Sequence, residues 1–185
     1  MFEIRPALLS DIPALLQLIN GYAKGGIMLP RTEFEMAENI RDFVVAVETA
    51  AGRLLGCSAL HFYTPTSGEI RSLAVDPTLK TQGIGRALVV ALEKEAAAND
   101  LHSVFAFTYV DGFFRKLGYE EVDRGELPLK AWKDCLRCPK FQACDEIAML
   151  KRLKDTPNGV SGDLQNLTIR PEHDLVQIPH WPVRR

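Results

Sequence analysis

The chain predicts an α/β (α+β) fold, a mixed and mostly antiparallel sheet with helices on both faces. Three observations carry this. Stretches with apolar residues at helical spacing alternate with short β-branched and aliphatic runs in the order β-α-α-β-β-β-α-β-α-β-β. Two of the strand-like runs meet at a turn containing Ala51-Gly52, which predicts an antiparallel hairpin. From Glu69 to Thr108 a strand, a glycine-punctuated loop, a long helical pattern and a second buried strand follow one another; this is a βαβ crossover and requires a parallel strand pair.

In order, Phe2 to Arg5 is a short first strand. Ser10 or Asp11 caps a helix in which Ile12, Leu15, Leu16 and Ile19 share one face, and Pro13 falls in its first turn, where a missing N–H does little harm. Gly21 and Gly25-Gly26 predict its end. Thr32 and Glu35 make a capping box for a second helix reaching about Arg41, and the intervening K-G-G-I-M-L-P-R is a mobile loop. Phe43 to Val47 and Leu54 to Tyr63 are the hairpin strands, and Thr64 to Gly68 turns into the strand that opens at Glu69. That strand stops at Asp76-Pro77. A-L-V-V-A-L-E-K-E-A-A-A-N-D is strongly helical, Ser103 to Thr108 is a strand, Asp111 to Leu117 is a short helix closed by Gly118, and Ile147 to Leu153 is the last regular element.

A length of 185 residues fits one domain, residues 1–153, followed by an extension, 154–185. The extension carries Pro157, Gly159, Gly162, Pro171, Pro179 and Pro182. It reads either as a tail or as a docking arm whose Ile169, Leu175, Ile178 and Trp181 lie along the domain or along a second subunit of a homodimer. The formal charge of −2 supplies no global field for polyanions, so nucleic acid and anionic membrane are not expected partners. No apolar run approaches membrane-spanning length, and acid and proline break the N-terminus within a dozen residues. A soluble, cytoplasmic protein is the expectation.

The chemistry concentrates in E-I-R-S-L-A-V-D-P-T-L-K-T-Q-G-I-G-R, Glu69 to Arg86. Gly83 and Gly85 let main-chain N–H groups approach a ligand, and the helix behind them leaves its first amides unpaired, so the loop favours a phosphate. It is neither a Walker loop, since no G-K-[ST] follows, nor the dinucleotide G-x-G-x-x-G, since the third glycine is absent. Lys80-Thr81-Gln82-Gly83-Ile84-Gly85 resembles the acyl-CoA pyrophosphate loop [RQ]-x-x-G-x-[GA] of the GNAT N-acetyltransferases, with lysine in the first slot. The element order matches the GNAT fold over roughly residues 3 to 153, and the F-F-R-K-L-G-Y run at Phe113 to Tyr119 also fits. Further segments, G-G-I-M-L-P-R-T, G-C-S-A-L-H, G-E-I-R-S-L-A-V and E-L-P-L-K-A-W-K-D, are similar to the short stand-alone N-acetylglutamate synthases of bacteria, which acetylate the α-amine of L-glutamate from acetyl-CoA.

That resemblance implies the following sites. Acetyl-CoA meets the backbone of Leu73, Ala74 and Val75, the loop and helix start at Lys80, Thr81, Gln82, Gly83, Ile84, Gly85 and Arg86, and the late helix at Phe114 and Lys116. Glu69 takes the place of a general base. Strict alternation puts Glu69, Arg71, Leu73 and Val75 on one face of their strand. A free carboxylate lies roughly four pKa units below an ammonium, about 5 kcal/mol, so Glu69 must be raised by burial or act through water. The tyrosine that protonates the thiolate in many GNAT enzymes is missing from Phe113-Phe114, leaving Tyr109, a water or direct thiolate departure. Arg31, His61, Arg71, Arg115 and Lys130 are the substrate-binding set, since a dicarboxylate acceptor needs cationic forks. Asn20 stands where the resemblance expects arginine, which leaves glutamine open beside glutamate. A different small amine, a peptide N-terminus, or a non-catalytic acyl-CoA sensor are the competing readings.

Cys135, Cys138 and Cys144 give C-x₂-C-x₅-C, three thiols without a nearby histidine, so a loop of reduced thiols is expected over a zinc site. Cys57 reads as core.

Overall fold

The structure, a computed structural model, describes residues 1–127 and 138–154. The reading of 154–185 as tail or docking arm therefore lies outside the described residues except for Lys154, whose ammonium is 2.7 Å from Asp100.

Strand β1 (Phe2–Pro6) is followed by helices α1 (Ile12–Lys24) and α2 (Glu33–Asn39), strands β2 (Phe43–Glu48), β3 (Leu54–Phe62) and β4 (Ser67–Val75), helix α3 (Ile84–Ala98), strand β5 (Ser103–Thr108), helix α4 (Asp111–Arg115) and strands β6 (Glu120–Glu121) and β7 (Ile147–Arg152). They form one seven-stranded sheet in the order β1-β2-β3-β4-β5-β7-β6. Every neighbouring pair is antiparallel except β4 and β5, the pair joined by the α3 crossover.

Alternation along β2 and β3, interrupted by a β-bulge at Leu55 between the pairs Ala46–Gly56 and Val47–Leu54, sorts the core onto two faces. Val44, Ala46, Leu55 and Leu60 point to α3, where Ile84, Leu88, Val89, Leu92 and Ala96 close over them. Val45, Val47, Cys57 and Ala59 point the other way and meet Ile12, Leu15 and Ile19 of α1 and Met36 of α2. Each buried Val, Leu, Ile or Met side chain among these contributes about 1.5–3 kcal/mol, so both helical layers are pinned to the sheet that carries the site.

Two local expectations need correction. Gly21 does not end α1; it is exposed, nothing among the described residues lies within 4 Å of a Cβ built there, and the helix continues to Lys24. The Thr64 to Gly68 turn is shorter than expected, because β4 pairs from Ser67 onward. The Thr32–Glu35 box forms as expected: Glu35 N–H donates to the Thr32 hydroxyl oxygen at 3.2 Å and Thr32 N–H to the Glu35 carboxylate at 2.9 Å. No helix among the described residues is long and apolar enough to cross a membrane.

Candidate active site

The ladder between β4 and β5 contains only the pairs Ser67–Ser103, Gly68–Val104 and Glu69–Phe105. Beyond them β4 stays with β3 as far as Val75, while β5 stays with β7 as far as Thr108. The two parallel strands therefore part at Glu69, opening a wedge whose one wall is the backbone of Ile70 to Val75. Backbone amides and carbonyls without a ladder need other partners, of the kind an extended ligand can supply.

A β-bulge shapes that wall. Across β3, Cys57 faces Ala74 and Ala59 faces Arg71, so Ser58 alone opposes both Ser72 and Leu73, and Ser72 takes a left-handed φ of 54°. The Ser58 hydroxyl donates to the Arg71 carbonyl at 3.2 Å, and the Cys57 thiol approaches the Ser72 carbonyl at 3.6 Å. The bulge reverses side-chain parity, which corrects the strict alternation expected along β4. Leu73 and Val75 pack toward α3 with Ile70, whereas Ala74 joins the α1 face. Glu69 and Arg71, opposite His61 and Ala59, share the α1–α2 face, as strand parity ahead of the bulge requires.

At the open end of the wedge lies the anion loop. The Asp76 carboxylate accepts from Thr78 N–H at 3.0 Å and from its hydroxyl at 2.7 Å, tightening the turn after β4. Thr81 and Gly83 both have positive φ, 86° and 79°. Helix α3 then starts at Ile84 with no side-chain cap and no acidic residue in its first turn, leaving its leading amides to a ligand. Among the described residues nothing lies within 4 Å of a Cβ built on Gly83, while one built on Gly85 would lie 3.6 Å from the Phe113 ring. Lys80 and Arg86 are exposed beside this loop, and the Lys80 ammonium sits 5.3 Å above the Tyr22 ring. Ile84 offers only its main chain, since its side chain is core.

Two aromatic positions revise the cofactor side. Phe114 is a core residue, stacked edge-on between Phe113 and Tyr119, so Phe113 is the ring that reaches the loop. Lys116 is exposed at the end of α4. Tyr22, which carried no sequence signal beyond its place in a helix, donates its hydroxyl to the Val75 carbonyl at 2.6 Å and ties α1 to the mouth of the wedge.

On the α1–α2 face His61 and Glu69 are cross-strand neighbours. His61 Nδ1 is 2.6 Å from Asp42 Oδ2, and Arg71 Nη2 is 3.6 Å from the same oxygen. Asp42 had no motif to reveal it. Asn20 holds the loop before α2, accepting from Arg31 N–H at 2.8 Å and donating to its carbonyl at 2.9 Å. Arg115 is not brought to this group: it pairs on the surface with Asp111, at 3.0 Å, and with Glu121. Lys130 lies outside the described residues.

Tyr109 follows β5, and its hydroxyl donates to Asp145 at 2.9 Å and accepts from Lys140 at 3.2 Å. Burial is the main cause that raises its pKa, and the hydrogen bond to Asp145 adds to it, so the proton is held rather than offered. Cys144 lies 3.9 Å from a Glu146 carboxylate oxygen, and Cys135 lies outside the described residues. Among the described residues no group of three histidine, cysteine or acidic side chains is placed to hold a metal.

Wedge, bulge and uncapped glycine loop follow one another along β4 and into α3, and residues 14–119 match the acetyltransferase (GNAT) family. The chain belongs to this family. It is an N-acetyltransferase that uses acetyl-CoA as the acetyl donor. Among its relatives is a Chlorobaculum tepidum protein named an uncharacterized N-acetyltransferase, 45% identical over 150 residues, covering 81% of this chain and 96% of that one. The amino-acid acetyltransferase of Mycobacterium tuberculosis is 38% identical over 121 residues, 65% of this chain and 69% of the other. Among solved structures, the N-acetylglutamate synthase of Neisseria gonorrhoeae, complexed with coenzyme A and N-acetyl-glutamate, superposes with a TM-score of 0.75 at 27% identity. That match covers 83% of this GNAT chain but only 35% of the Neisseria enzyme.

Proposed function

We infer that this acetyltransferase acetylates the α-amine of L-glutamate, with L-glutamine as the alternative acceptor, at the entry to arginine biosynthesis. The observation that carries this reading is the grouping of Arg71, His61 and Glu69 on one face at the head of the wedge. Names of the Mycobacterium and Neisseria relatives support it.

In this reading the α3 amides, Lys80 and Arg86 hold the pyrophosphate, and the pantetheine arm completes the missing ladder along Ile70 to Val75. A main-chain N–H at the bulge polarises the thioester carbonyl, a role independent of side-chain identity. Arg71, only 12% exposed, and Arg31 take the acceptor's carboxylates as forked cations. Glu69 draws the ammonium to the point where the strands part and starts its deprotonation through water.

The test is thiol release from acetyl-CoA with a panel of amino acids, amines and a peptide N-terminus. Turnover confined to glutamate and glutamine is expected. Turnover with peptides or simple amines but not with these two overturns the acceptor assignment, and binding of acetyl-CoA without turnover of any acceptor points to a sensor.

A further inference from the structure

Glu69 shares its strand face with Arg71 and has His61 as its cross-strand neighbour. As a residue type, an imidazole is better matched to an ammonium than a carboxylate is, by about two pKa units. His61 is held from two sides. Its Nδ1 lies 2.6 Å from Asp42 Oδ2, and its ring stands edge-on against Tyr63 with centroids 5.0 Å apart. A carboxylate at Nδ1 fixes the tautomer: Nδ1 keeps its hydrogen and donates it, leaving the lone pair on Nε2.

Resting on the acceptor reading above, we propose that His61 is the terminal proton acceptor of the reaction and that Asp42 is its positioning residue. The acceptor ammonium loses one proton, relayed past Glu69, to His61 Nε2. The freed nitrogen lone pair forms the N–C bond to the thioester carbon, and the C–S bond breaks with its electron pair going to sulfur. The second amine proton passes to the thiolate through solvent, so one proton ends on coenzyme A and one on His61. His61 and Asp42 line a cavity of about 260 Å³ with Arg41, Leu60, Phe62, Glu95 and Asn99, which returns the imidazolium proton to water. The charged groups facing the pair are Arg41 from the turn before β2, Glu69 and Arg71 from β4, and Glu95 from α3. Burial is the first cause that raises the Glu95 carboxyl, and the neighbouring Asp42 is the second.

The experiment combines pH–rate profiles of thiol release, using the acceptor the wild type prefers, with ¹⁵N NMR of the His61 ring in the free protein. H61Q is expected to lower kcat about 100-fold or more without changing the KM for acetyl-CoA, and to remove the acidic limb of the profile. D42N should lower kcat about tenfold, with D42E restoring most of it, while E69Q raises the acceptor KM and keeps the acidic limb. NMR should place the proton of the neutral ring on Nδ1. An Nε2–H tautomer, or an acidic limb lost with Glu69 rather than with His61, overturns the proposal. If the wild type turns over no amino acid, the glutamate reading falls and the tautomer still decides this one; unfolding temperatures of the variants separate misfolding from lost function.

Discussion

Asn20 and Arg31 close a ring of two hydrogen bonds, the side-chain amide of one accepting from the N–H of the other and donating to its carbonyl. A side chain that satisfies both polar groups of one residue fixes that residue's backbone. In this way α1 sets the path of the loop between itself and α2, eleven residues further along the chain. Replacing Asn20 by alanine removes both bonds and should cost about 1–2 kcal/mol of stability. The functional effect is expected to be selective: the acceptor KM rises several-fold and the KM for acetyl-CoA stays put. Equal rises in both would place Arg31 outside the acceptor half of the site.

Tyr109 gives a second test. Its hydroxyl proton points to Asp145, and Lys140 stacks on its ring at 4.8 Å, so the tyrosine fastens the 138–146 segment to the end of β5. Tyr109→Phe keeps the ring and removes the fastening. A fall in kcat of less than tenfold is expected, with faster proteolysis of that segment. A fall of 100-fold at unchanged acetyl-CoA KM would instead make Tyr109 the acid that protonates the thiolate.

The element order and the glycine loop were legible because both are local. Period-two and period-3.6 patterns, capping residues and Gly83 each report on their own few residues. What escaped is non-local. The Ser72 bulge exists only in the register of β4 on β3, so no reading of β4 alone could turn Leu73 and Val75 away from Glu69 and Arg71. Helix α4 has five residues, too few for periodicity to decide which phenylalanine is core and which reaches Gly85. Asp42 and Tyr22 matter through partners 19 and 53 positions away, and nothing in their own neighbourhoods marks them.

Gly56 tests how the sheet positions the anion loop. A Cβ there would lie 2.9 Å from the Ala74 carbonyl oxygen and 3.3 Å from side-chain carbons of Ile84 and Leu88. The first contact is with backbone and cannot relax cheaply, and the other two are with the start of α3. Gly56→Ala should lose about 1–3 kcal/mol in denaturant unfolding and raise the acetyl-CoA KM several-fold as the helix shifts. Wild-type stability with wild-type KM would contradict the packing described.

Arg5 and Asp11 join β1 to the start of α1 through paired contacts of 2.7 and 2.9 Å, and Leu8 N–H adds a third at 2.8 Å. The hydrogen bond from Arg5 is the largest cause holding the Asp11 carboxyl below its usual range. A depressed folded-state pKa means stability that is present above the unfolded value of about 3.9 and lost as pH falls through the folded one. Asp11→Asn should therefore be about 1 kcal/mol less stable at neutral pH, with the gap narrowing below about pH 4. Urea unfolding at the two pH values checks this, and a constant gap would refute the linkage.

Cys57 lies beneath the bulge with no solvent exposure, and burial pushes its thiol up to about 12. A neutral thiol is what the site requires, because only S–H can donate to the Ser72 carbonyl. The sign of the linkage follows: this protonated thiol stabilises the fold fully below the unfolded cysteine value of about 8.5, and the contribution is lost as pH rises from there toward about 12. At neutral pH a thiol-specific alkylating agent should modify the half-buried Cys138 and Cys144 first, and Cys57 only at the rate of global unfolding. Peptide mapping against time of exposure separates these classes. Modification of Cys57 at the rate of the other two, in protein that still releases thiol from acetyl-CoA, would mean that the strand wall opens in the native state and that the bulge is not held as described.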